Sequence, residues 1–257
     1  MELTQSQFDR IADCLPVQRG NVKLSNLQVL NAILYVAENG CKWRRLPPRF
    51  GNWHTVYTRM NRWAKGGVLE RVFARLQQEQ IIRIKVEAVS LDSTSVRVHP
   101  DGTGAFKKNG PQSIGKSRGG WTTKVHLVAA DDRTAVTFAL SPGNAHDAPE
   151  GRKLLKASGP LLGPWSLIMD RAYEGNETRQ LALDLGLTPV VPPKKSRLDP
   201  WEYDREMYKR RNEVERLIRR LKGFRRVFSR FEKLDVMYLA FINFALIADI
   251  LISVNRP

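Results

Sequence analysis

The sequence predicts an α/β protein: a mixed sheet flanked by helices, preceded by a small all-α domain. Three observations lead there. Residues 1–80 carry only helix-period patterns, and from residue 86 short β-rich runs begin to alternate with helical ones. The length of 257 residues with 42% apolar content can supply a core for a small domain and a larger one.

In the first part, Ser25-Asn26-Leu27-Gln28 has the form of a capping box, and Leu27, Leu30, Ile33, Leu34 and Ala37 follow at helical spacing up to Gly40. After Pro47-Pro48 a second helix is expected over residues 51–67, stopped by Gly66-Gly67. Trp53, Val56, Tyr57, Met60, Trp63 and Ala64 fall on one side of it, and Thr55, Thr58, Arg59, Arg62 and Lys65 on the other. Two readings are open for the polar side: a solvated basic face, or the recognition helix of a helix-turn-helix-like module that offers Arg59, Arg62 and Lys65 to DNA.

From residue 86, strands are expected at 86–98, 121–130 and 135–142, with Asp131-Asp132-Arg133 as the turn between the last two. Asp147-Ala148-Pro149-Glu150 reads as a capping box opening a helix through Leu154 and Leu155. A strand at 164–170, a helix at 175–186, a strand at 187–193 and a basic helix at 205–230 complete the pattern. A three-strand meander followed by alternating helices and strands describes a mixed sheet with helices on its faces. The connection at 99–120 is long for a compact domain, and from Gly102 to Ala130 the chain holds Lys107, Lys108, Lys116, Arg118 and Lys124 without an acid. A solvated loop and a loop that orders on nucleic acid both fit.

Lys and Arg number 42 against 26 Asp and Glu, a net charge of +16. The expected partner is a polyanion: nucleic acid, an anionic membrane surface or an acidic protein. Cys14 and Cys41 form no Cys-x-x-Cys pair, which argues against a zinc site and a disulfide framework. With no signal-peptide pattern at residues 1–20, the expected compartment is the reducing cytoplasm. The apolar run 234–254 is about as long as a membrane span, yet it contains Asp235, Asn243 and Asp249 and is expected to be a buried helix.

Three carboxylates carry the chemical argument. Asp92 lies inside a β-rich run, where it must be solvated, paired or bound to metal. Asp170 ends the strand WSLIMD, and ligands collect at the carboxyl ends of strands in open α/β sheets, although strand-end Asp residues also serve as turn caps. The third is Glu215, on the basic stretch from Arg205 to Arg230, which holds eleven Lys or Arg against three Glu. There Tyr208, Arg211, Glu215 and Lys222 fall within a stripe of about 60° on a helix, beside an apolar stripe of Val214, Leu217, Ile218 and Leu221. Glu213 points away. Two sheet carboxylates and one on an adjoining helix match the needs of two divalent cations, which take oxygen ligands and stabilise both oxygens of an in-line phosphoryl displacement. The alternative is a Glu215 that merely pairs with Arg211 or Arg219 on the helix surface.

At Tyr208-x2-Arg211-x3-Glu215-x6-Lys222 the sequence resembles the signature of the DDE transposases of bacterial insertion sequences, with all four positions in agreement. The segments LDSTSVRVHPDGTG, GKSRGGWTTKVHLVA, SPGNAHDAPEG and MDRAYEGN extend the resemblance over about residues 86–250, and CKWRRLPPRFGNWHTVYTRMNRWAKGGV is similar to the N-terminal domain of the same group. The resemblance implies a helical DNA-binding domain over 1–80 and a ribonuclease H-like catalytic core over 86–257. It further implies dependence on two Mg2+ ions with Mn2+ tolerated, and cleavage at element ends followed by strand transfer into target DNA. Asp92, Asp170 and Glu215 would be the catalytic and metal-binding triad. Tyr208, Arg211 and Lys222 would serve around it, the cations on phosphates of double-stranded DNA, with Lys116 and Arg118 contributing from the long connection. Pairing of two ends implies self-association, and the implied setting is a bacterial cytoplasm on the nucleoid, away from membranes. Two other functions fit the same residues: a DNA-binding protein that keeps the fold without strand transfer, and a hydrolytic nuclease. His146 is expected to have a structural or loop role and no catalytic one.

Overall fold

The computed structural model describes residues 1–84, 86–158 and 165–253. Pro164, at the head of one predicted strand, and Val254, at the end of the apolar run, lie outside the described residues. In chain order the elements are α1 (Gln5–Asp9), α2 (Asn26–Asn39), α3 (Trp53–Lys65), α4 (Val68–Arg83), β1 (Ala88–Val98), β2 (Gly115–Ser117), β3 (Gly120–Ala129), β4 (Ala135–Pro142), α5 (Asp147–Ser158), β5 (Ser166–Met169), α6 (Asn176–Asp184), β6 (Thr188–Val190), α7 (Arg205–Lys209), α8 (Asn212–Leu221), α9 (Arg225–Phe228), β7 (Ser229–Arg230) and α10 (Asp235–Ser253).

The chain forms two compact units. One is built from Met1–Gln78, Val98–Gln112 and Leu221–Pro257, the other from Glu79–Arg97 and Ser113–Arg220. These are not the two linear stretches that composition marks off at residues 80 and 86, because α10 supplies core to the N-terminal helices. It packs on α2, α3 and α9. Phe241, Ile242, Asn243, Phe244, Leu246 and Ile247, which point to all sides of α10, are at most 3% exposed, as expected of a helix buried all round. The Trp43 and Phe241 rings lie 5.9 Å apart, and Gln7 Nε2 donates to the Leu251 carbonyl at 3.0 Å. Among the described residues α10 is the one helix long and apolar enough to cross a membrane, and 78% of its Asp235–Ile252 window is buried within the protein.

Within the same unit, Ser25 and Gln28 form the capping box of α2, and Gly40 closes that helix in the left-handed conformation (φ 66°). The chain from Gly40 to Asn52 makes two 3-10 turns, Trp43–Arg45 and Pro48–Phe50. A long connection, rather than a tight turn, therefore precedes α3; the tight turn, at Gly66-Gly67, follows it. Arg226 and Arg230 are buried and pair with Glu232 and Asp235, each at 2.8 Å. These two of the eleven cations between Arg205 and Arg230 are thus core ion pairs and not part of a surface charge track.

In the other unit β3 lies antiparallel to β1 along one edge and to β2 and then β4 along the other, while β5 runs parallel to β1 and β6 parallel to β5. An antiparallel meander extended by parallel strands on the far side of β1 is the ribonuclease H-like arrangement. Pro189, which lacks an N–H, is accommodated because β6 ends the ladder order. On one face of the sheet Val89, Leu91, Leu167 and Met169 form a core with Leu154 and Leu155 of α5 and Ala182 of α6. On the other, Ala88, Ile168 and Val190 receive Tyr203, Met207 and Tyr208. β2 was not expected from the sequence: it takes three residues of the long connection into a hairpin with β3.

Candidate active site

Side chains alternate between the two faces of a strand. Along β1, Ala88 faces the layer that contains Tyr208, so Ser90 and Asp92 share that face, and Ile168 likewise places Asp170 on it. The parallel register ends with Leu91 paired to Met169. Asp92 and Asp170 are the next residues on the two strands, which neighbour each other at about 4.8 Å. Asp92 is buried and Asp170 half-buried. Asp170 also caps a short 3-10 turn, accepting from the Ala172 N–H at 2.7 Å, so its turn role and its position at the strand end coexist.

The predicted basic helix is broken into α7, α8 and α9. Bonds of the i to i−3 kind, from Arg211 N–H to the Tyr208 carbonyl (3.0 Å) and from Glu213 N–H to the Arg210 carbonyl (2.9 Å), carry the chain from α7 into α8. Val214, Leu217 and Leu221 are buried as the apolar stripe requires, with Ile218 half-buried. Arg211, in that turn, reaches both ways: Nη2 donates to Asp92 Oδ2 at 3.2 Å and Nη1 to Glu215 Oε1 at 2.5 Å. Glu215 is exposed. Glu213 turns to Arg210, Oε1 accepting from Nε at 3.1 Å.

The electrostatics tie the group together. Burial pushes the Asp92 carboxyl up; the Ser93 N–H and Arg211 pull it down, while Asp170 and Glu215 push it further up. Burial opposes the Arg211 charge, yet Asp92 and Glu215 outweigh it and hold the guanidinium above its usual range. The Tyr208 hydroxyl is raised by burial, with Arg211 lowering it and Asp170 raising it. Among the described residues no group of three His, Cys, Asp or Glu side chains is gathered closely enough to hold an ion.

Behind Asp92, on the opposite face, is an anchoring cluster that sequence reading missed. Ser93 Oγ and Lys124 Nζ donate to Asp147 Oδ1 at 2.8 and 2.9 Å. Burial works against the Asp147 carboxylate, but Lys124 and Ser93 hold it below the usual range. Asp147 is therefore the first residue of α5, its carboxylate spent on β1 and β3. Gly151 allows α5 to approach Tyr173, since a Cβ there would stand 2.6 Å from the ring. A signal was available: alternation puts Ser93 on the face opposite Asp92.

Lys222 falls in the turn after α8, not on the helix, and burial lowers its ammonium. Lys116 in β2 and Arg118 in the following turn are exposed, Lys116 opposite the half-exposed Trp121. On α3, Arg62 and Lys65 are exposed, whereas Arg59 is half-buried and donates to the Leu24 carbonyl at 2.9 Å. His146 is exposed.

Two separate segments of the chain match known protein families. A family model described as "Transposase DDE domain" matches residues 85–249, and one described as "Putative transposase of IS4/5 family" matches residues 3–73. "Uncharacterized protein y4sN" of Sinorhizobium fredii is 35% identical over 112 residues, 42% of this chain and 86% of that protein. "Putative transposase for insertion sequence element IS6501" of Brucella ovis is 29% identical over 125 residues, 48% of this chain and 94% of its own length. "Putative transposase for insertion sequence element IS402" of Burkholderia cepacia is 28% identical, and this chain covers 65% of it. The Mos1 transposase paired-end complex aligns with 71% of this chain and 64% of the Mos1 chain, at 11% identity and a TM-score of 0.29. With the DDE model matched over well more than half of its length, the chain belongs to the family of transposases that carry a DDE domain.

Proposed function

We propose that this protein is an insertion-sequence transposase that cuts double-stranded DNA at the ends of its element and joins those ends to target DNA. The observation that carries the reading is that Asp92 and Asp170 each directly follow the Leu91–Met169 pair on neighbouring parallel strands, with Glu215 tied to Asp92 through Arg211. The donor set fits a hard divalent cation such as Mg2+, or Mn2+, because it is all carboxylate oxygen. Asp92, Asp170 and Glu215 would hold two such ions. When bound, these ions supply charge stabilisation for the attacking and leaving oxygens of phosphoryl displacement.

The protein's own part is to bind, orient and neutralise. The exposed Lys116, Arg118, Arg62 and Lys65, together with Tyr208, Arg211 and Lys222, would meet the phosphate backbone, which fixes register and sets a salt-dependent affinity. Two copies would pair two element ends, in the bacterial cytoplasm. The test is one reaction containing purified protein, labelled duplex with element ends and Mg2+, scored for both nicking and joining. Asp92→Asn, Asp170→Asn and Glu215→Gln are expected to abolish both while retaining end binding in a mobility-shift assay. Full cleavage by any of the three would refute the assignment, and cut ends that are never joined would reduce the protein to a hydrolytic nuclease.

A further inference from the structure

We propose that Arg211 is a latch on the carboxylate site: in the DNA-free protein its guanidinium bridges Asp92 and Glu215 and keeps divalent cations off them, and a phosphate of bound DNA draws it away. The inference rests on the reading of Asp92 and Glu215 as metal ligands and adds a regulation of that site.

The geometry is that of a cation already in place. One guanidinium nitrogen faces Asp92 at 3.2 Å and another faces Glu215 at 2.5 Å. A dication held by the same oxygens would lie within a few ångströms of that positive charge and be repelled by it. The two are alternative occupants. Arg211 is also able to leave: it sits in the turn between α7 and α8, and its side chain is 25% exposed, as is 47% of the Glu215 side chain. The bridged arrangement leaves it incompletely satisfied, because among the described residues its buried Nε has no hydrogen-bond partner. A phosphate offers what the bridge lacks, since guanidinium binds phosphate through two parallel hydrogen bonds as readily as it binds carboxylate. DNA and metal then favour the same state of Arg211, and the coupling is reciprocal.

Such a latch would keep a nuclease-competent site unloaded until DNA is present. The test needs no turnover. Mn2+ binding to the full chain is titrated by electron paramagnetic resonance without DNA, for the parent, Arg211→Ala and Arg211→Gln, and again with a short duplex after subtraction of a DNA-only blank. Both variants are expected to bind Mn2+ about ten-fold or more tightly than the parent, and the duplex is expected to tighten binding to the parent but to neither variant. If neither variant binds more tightly while Asp92→Asn still removes Mn2+ binding, the latch is overturned and the metal site stands. If Asp92→Asn and Glu215→Gln bind Mn2+ as the parent does, the metal site falls and the latch with it.

Discussion

Asp92 has two opposing surroundings: the apolar interior of β1, which disfavours its charge, and Arg211, which favours it. The balance lies with burial, so the folded protein holds the Asp92 proton above the ordinary carboxylate range. A group whose folded value is raised adds stability below the unfolded value of about 3.9, and that stability is lost as pH rises through the folded value. Asn is neutral throughout and can still accept from Arg211. Asp92→Asn is therefore expected to melt at a higher temperature than the parent at pH 7, with the gap closing as pH falls towards 4, by calorimetry across that range. A lower melting temperature at pH 7 would mean that the Arg211 pair outweighs burial. At this scale much was legible in the sequence: a carboxylate inside an apolar run, another at a strand end and a third four residues after an arginine announce themselves by type and spacing. What was hidden is the pairing of Arg211 with Asp92, 119 positions away, since a long-range contact leaves no local pattern.

Elements were legible where local chemistry decides them. The Ser25–Gln28 box and Gly40 bound α2 because each satisfies orphan backbone groups without help from elsewhere. The break at Arg210-Arg211 has no Gly or Pro to announce it, so the stretch from Arg205 reads as one helix although the chain divides it. On α3 the polar face separates by what each side chain touches. Arg62 and Lys65 are exposed, while Arg59 is engaged with the Leu24 carbonyl. The double variant Arg62→Ala, Lys65→Ala is expected to weaken DNA binding and to lower the slope of log affinity against log salt by roughly 2, at about 0.9 per phosphate contact, measured by fluorescence anisotropy. An unchanged slope would remove α3 from the DNA-facing surface.

At the scale of the molecule, family boundaries and compact units divide the chain differently. The two family models separate between residues 73 and 85, whereas the helical unit takes its core from Leu221 onward as well. A fragment of residues 1–80 is accordingly expected to lack a cooperative thermal transition by circular dichroism, while the full chain shows one; a sharp transition in the fragment would show α10 to be dispensable. The sequence marks α10 as apolar but not as the partner of α2 and α3, because burial on all sides erases the periodicity that names a neighbour. The shared core also imposes an order in time. At about 5–20 residues per second, α10 leaves the ribosome roughly 10–40 s after α2, so the part of α2 that packs on α10 waits for its partner while the whole sheet is being synthesised. Nascent chains thus carry an incomplete helical core over that interval, and a message cut short anywhere before residue 235 yields a product whose helical unit is never completed.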